Sequence, residues 1–161
     1  MEKEAVKTKV LFVCNQNKVR SLTAEHLYKA RADLDVKSAG TASFAKKQLT
    51  EDLIRWAEFI FVFEKEQSRQ MEMRFGDLLE EKEIICLGLP DIFDYKSPSL
   101  VTKLVAKLDP FLGRPDSTSS NLKRLRQRLK IKQDDKPKDS KSITSKLLSA
   151  VGLSSKATAK K

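Results

Sequence analysis

The chain has 161 residues, 40% of them apolar, enough for one compact domain with an appendage; its charged opening, MEKEAVKTKV, holds no signal-like apolar core, and no run approaches a membrane span. Two cysteines, Cys14 and Cys86, exclude a disulfide framework and a paired-cysteine zinc site. The net charge of +10 sits wholly at one end, since residues 1–112 hold 18 basic and 18 acidic side chains and residues 113–161 hold 14 and 4.

Lys9 to Cys14, KVLFVC, is a short apolar run rich in β-branched and aromatic residues, the composition of a strand buried on both faces. Ser21 to Arg31 reads as a helix without glycine or proline, and Asp35 to Gly40 as a second strand. Thr50 is a helix cap followed by acidic residues, and Phe59 to Phe63 is a third strand. A helix is expected from Glu64 to Phe75, stopping before Gly76. Glu83 to Leu87 is a fourth strand, which would bury Cys86. Ser97 and Pro98 open a last helix that Asp109 and Pro110 should close.

Strands alternating with helices predict an α/β fold: a small doubly wound, four-stranded parallel sheet with helices on both faces, over residues 1–112. Ligands of such sheets bind beyond the carboxyl ends of the strands, where Cys14, the residues after Gly40, Glu64 and the GLPD loop should meet. Residues 113–161 read as a linker and a basic, partly helical and partly disordered tail. Its segment 121–151 could serve as a solvated extension or contact an anionic membrane or acidic protein. Nucleic acid is disfavoured because no aromatic side chains interleave the charges. A free thiol suits a reducing compartment, so a cytoplasmic location is expected, peripheral to a membrane if the tail binds one.

The informative stretch is VCNQNKVRS. Cys14 ends a strand and Arg20 opens a helix, with Asn15, Gln16, Asn17, Lys18 and Val19 between them. A loop entering a helix offers several backbone N–H groups to one point, and the helix dipole favours an anion there. Such a field also favours a thiolate over a thiol. Arg20 adds a planar fork suited to two phosphate oxygens.

VLFVCNQNKVRS resembles the phosphate-binding loop of the low-molecular-weight protein tyrosine phosphatases. SAGT (Ser38 to Thr41), AEFIFVFEKEQ (Ala57 to Gln67) and GLPDIFDY (Gly88 to Tyr95) resemble, in order, further segments of that family. The resemblance implies a cysteine-dependent phosphatase acting on phosphotyrosine or other aryl phosphates through a thiophosphoryl intermediate, with no cofactor and no metal. Cys14 would be the nucleophile, residues 15–20 the phosphate cradle, and Asp91 the acid. Ser21 would hydrogen-bond the thiolate, Asn17 brace the loop, and Phe93 flank the pocket. Asp94 competes for the acid role, whereas Asp109 belongs on the opposite edge of the sheet.

Some positions depart from the family pattern. Gln16 stands where glycine is common, and a left-handed backbone there would strain a glutamine. Leu22 and Ile92 replace prolines, and Val19 replaces a second loop cysteine. These changes motivate an alternative, a phosphate-recognising binding module with little turnover, tethered by its tail. Arsenate reduction on the same fold needs a relay of cysteines that two cannot supply. His26, alone of its type, reads as an ordinary helix residue, and Trp56, Phe59, Phe61 and Phe63 as core.

Overall fold

A computed structural model describes residues 6–116 and residue 127. Four strands, β1 (Thr8–Cys14), β2 (Leu34–Gly40), β3 (Phe59–Val62) and β4 (Glu83–Cys86), form one sheet in the order β2-β1-β3-β4. All pairings are parallel. The helices are α1 (Arg20–Tyr28), α2 (Glu51–Trp56), α3 (Lys65–Leu79) and α4 (Pro98–Leu112). By internal contacts the chain divides into units of Met1–Leu125 and Arg126–Lys161, whereas composition changes after Leu112. Apart from Gln127, the tail residues 117–161 lie outside the described residues, and with them the predicted contacts of 121–151.

β1 is buried along Val10–Cys14 because it lies inside the sheet with helices on each side. Alternation sends Leu11 and Val13 into a cluster with Ala39, Ile54, Ile60, Val62, Met71 and Leu79. Phe12 points the other way, 5.5 Å from Phe61 and 6.4 Å from Tyr28 between ring centroids. Leu100, Leu104, Leu108 and Leu112 make one stripe on α4, and all are buried. Full burial of each such side chain stabilises the fold by roughly 1.5–3 kcal/mol.

Local signals place the helix starts. Thr50 Oγ1 accepts from Leu53 N at 3.3 Å, and Ser97 Oγ accepts from Leu100 N at 3.4 Å. Glu64 caps α3 in a reciprocal box with Gln67.

Two expectations fail for tertiary reasons and one holds in part. The third helix breaks at Phe75 (φ −133°, ψ 22°), before Gly76 as expected, and helical backbone then resumes to Leu79, which is buried in the core. α4 runs through Pro110 to Leu112, since Leu112 completes the buried stripe and its carbonyl accepts from Arg31 Nη1. Cys86 is exposed because β4 is the edge strand of the sheet.

Candidate active site

The register aligns Cys14 with Gly40 across β1 and β2, and Val13 with Val62 across β1 and β3. The strands therefore end on a common edge, and the cysteine loop, Glu64 and the loop after β4 converge there. Segment 41–46 fixes the cysteine loop from outside. Thr41 N donates to Cys14 O at 3.0 Å, Ala42 N to Asn15 O at 3.0 Å and Lys46 N to Gln16 O at 3.0 Å. With its carbonyls turned outward, the loop can present amides inward, as Asn17 N does to Cys14 Sγ at 3.2 Å. Gly40 makes this possible: a Cβ there would lie 2.5 Å from Asn15 O and 2.6 Å from the Ala45 Cβ.

The left-handed residue of the loop is Asn17 (φ 56°), and Gln16 does not carry the strain expected of it. Asparagine tolerates that conformation best among residues with a side chain, so the glutamine is no obstacle to the loop. This removes the main argument for a binding module without turnover.

Asn17 also organises a buried network. Ser38 Oγ donates to Glu25 Oε2 at 2.6 Å, so its oxygen is free to accept from Asn17 Nδ2 at 2.9 Å. The other Asn17 amide hydrogen goes to Ser21 Oγ at 2.8 Å. Ser21 Oγ, holding that hydrogen, lies 2.9 Å from Cys14 Sγ, within hydrogen-bond distance. Asn17 Oδ1 is buried without a partner, the cost of committing both hydrogens to the serines. Of these participants, Ser38 lies in a motif already singled out; no local pattern marked Glu25.

Arg20 is 2% exposed, so its charge requires close partners. Nη1 donates to Glu64 Oε1 at 2.5 Å and to Leu89 O at 2.9 Å, and the guanidinium lies 5.9 Å from the Phe63 ring centroid. Nε faces Asp91 Oδ1 at 3.6 Å. The hydrogen bond from Arg20 holds the Glu64 carboxyl below its ordinary value of 4.5, against partial desolvation, with help from the Arg20 charge and Gln67. The capping pattern Glu64-x-x-Gln67 was the available signal for this residue.

Cys14, Gln16, Lys18, Val19, Arg20 and Asp91 line one cavity of about 30 Å³, space for about two waters. Asp94 and Phe93 are not among its lining residues; Phe93 lies under Lys103 Nζ, 5.3 Å from its ring centroid. Phe44 and Ile92, 67% and 73% exposed, stand on the segments after β2 and after Asp91, and Phe44 was not anticipated. Asp109 belongs to the far end of α4, where Arg31 bonds the Leu112 carbonyl. The loop that carries Asp91 is held at both ends: Leu89 N donates to Phe63 O at 2.9 Å, and Lys96 N to Thr23 Oγ1 at 3.2 Å. Tyr95 Oη also hydrogen-bonds Nδ1 of His26 on α1.

A cysteine, a loop amide directed at its sulfur, a helix N-terminus and an arginine meet on one sheet edge of a doubly wound α/β fold. Residues 9–77 match the family model described as low molecular weight phosphotyrosine protein phosphatase. Solved structures extend the fold likeness beyond it. The tyrosine phosphatase Wzb from Escherichia coli K30, in complex with phosphate, is 17% identical at TM-score 0.51, covering 63% of this chain and 94% of its own. Vibrio vulnificus Wzb in complex with benzylphosphonate is 20% identical at TM-score 0.50, covering 63% and 92%. The YwlE arginine phosphatase from Geobacillus stearothermophilus is 22% identical at TM-score 0.46, covering 81% and 97%. No curated protein matches the chain.

Proposed function

We propose that the chain is a cysteine-dependent phosphatase that hydrolyses phosphotyrosine or related aryl phosphates. The observation that carries this reading is Cys14 Sγ, within hydrogen-bond distance of both Ser21 Oγ and Asn17 N, in a cavity walled by Arg20 and Asp91. A phosphate entering it takes the Nε edge of Arg20, because Glu64 and Leu89 already hold Nη1. Exposed Phe44 and Ile92 supply apolar surface for an aryl group.

In the first step the Cys14 thiolate attacks phosphorus, forming the S–P bond as the ester P–O bond breaks. Asp91 gives its proton to the leaving oxygen. In the second step water attacks phosphorus, Asp91 takes its proton, and the S–P bond breaks to return the thiolate and release phosphate. The benzylphosphonate held by the Vibrio protein is consistent with an aryl group at such a site.

Purified protein should release phosphate from phenyl phosphate and from a phosphotyrosine peptide, and Cys14→Ser should lose essentially all of it. Mass spectrometry of rapidly quenched wild-type protein should find the phosphoryl group on Cys14. Turnover that survives in Cys14→Ser rejects the reading; turnover of phosphoarginine alone rejects the aryl assignment while keeping the nucleophile.

A further inference from the structure

Three lysines are tied to the cavity wall through its backbone. Lys18 lines the cavity itself. Lys46 N donates to the carbonyl of Gln16, another lining residue, at 3.0 Å. Lys96 N donates to Thr23 Oγ1, which in turn donates to the carbonyl of lining residue Val19 at 2.6 Å. The three come from the cysteine loop, the segment after β2 and the end of the acid loop. All are exposed, and none is in an ion pair among the described residues.

The nearby carboxylates do not cancel them. Glu64 and Asp91 face Arg20, Glu25 is engaged by Ser38 and Lys47, and exposed Asp94 is the remaining one on the acid loop. Lys96 and Lys46 act on a common neighbour: His26 is held below the ordinary histidine value of 6.5, first by burial and then by Lys29, Lys96 and Lys46, with Glu25 opposing.

Lys96 carries a second observation. Its φ of 55° is left-handed, a conformation that glycine or asparagine takes more readily. A lysine kept there against its backbone preference points to a use for its side chain.

We propose that Lys18, Lys46 and Lys96 form a basic rim that selects phosphoproteins whose phosphorylated side chain is flanked by acidic residues. This rests on the phosphatase reading and names its substrate class. Rim charges act on encounter and on register more than on the chemical step, so preference should appear in kcat/KM and weaken with salt.

The test compares a phosphotyrosine peptide carrying Asp and Glu around the phosphorylated residue with a matched peptide carrying Asn and Gln, using the full chain. Wild-type protein should favour the acidic peptide by about tenfold in kcat/KM. The ratio should fall toward one in Lys46→Gln combined with Lys96→Gly, and also at about 0.5 M salt. Lys96→Gly relieves the left-handed backbone, so loss of the ratio together with an unchanged or raised melting temperature excludes misfolding as its cause. Equal use of the two peptides by wild-type protein overturns the rim. If neither peptide is turned over, the phosphatase reading fails by itself, and fluorescence anisotropy with the same peptides then decides. Tighter binding of the acidic one supports the rim, and equal or absent binding overturns it.

Discussion

The Arg20 guanidinium and the Glu64 carboxylate meet at 2.5 Å, so a helix cap on α3 also aims the first residue of α1. Glu64 fixes one nitrogen of Arg20 and leaves the Nε edge facing the cavity. Glu64→Gln should lower kcat/KM for an aryl phosphate by about tenfold, because a clamp that wanders no longer holds the phosphate in line. Urea unfolding should find it about 1 kcal/mol less stable at pH 7. A variant with wild-type kinetics would mean that Leu89 O alone positions the guanidinium.

Acidity should act on the same pair. Because the folded carboxyl titrates below 4.5, Glu64 contributes stability that is complete above that value and lost as pH falls through its lowered value. In the Gln variant this part of the acid destabilisation should be missing, so wild-type and variant melting temperatures should converge as pH drops below about 4.5.

Asp91 and Asp109 provide a positional contrast. Asp91 lines the cavity, whereas Asp109 sits in the last turn of α4 and is not among the lining residues. Asp91→Asn should cut kcat for phenyl phosphate by about 10²-fold or more, while Asp109→Asn stays within about twofold of wild type. An equal loss in Asp94→Asn, with Asp91→Asn unaffected, would transfer the acid role to Asp94.

Gly40 should tolerate no side chain. A Cβ would press on Asn15 O and the Ala45 Cβ, both belonging to segments that shape the cysteine loop. Gly40→Ala should lose stability by roughly 1–3 kcal/mol and most of its turnover, read by urea unfolding and steady-state kinetics. Full activity in that variant would show that the loop can move aside without harm.

Tyr28 is fully buried, and its hydroxyl donates to Gly113 O at 2.9 Å. Burial pushes its phenol up to about 12 from 10.0. A raised value means that this stabilisation is complete below pH 10 and disappears as pH climbs from 10 toward about 12. Tyr28→Phe should flatten that alkaline decline in thermal stability, at the cost of one hydrogen bond at pH 7.

Much of the architecture was legible because it is written locally. The apolar runs of β1 and β3, the Thr50 and Ser97 caps and the alternation of strand and helix are short-range signals, and together they determine a parallel sheet whose loops meet at one edge. Cys14 and Arg20 share one strand–loop–helix junction, and that context together with the resemblance to a phosphate-binding loop marked them as a pair where the spacing by itself was a weak signal. Helix ends were less legible: burial of Leu112 overrode the local stop signal of Pro110, whereas the stop at Gly76 shows as a break at Phe75 before helical backbone resumes to Leu79. Only the fold could bring Glu25, Ser38 and Asn17 into one network, choose Asn17 over Gln16 for the left-handed position, or set Glu64 on Arg20. Those relationships join residues as far as 44 apart in sequence, and their geometry depends on how the strands are registered and on which faces the core takes from water.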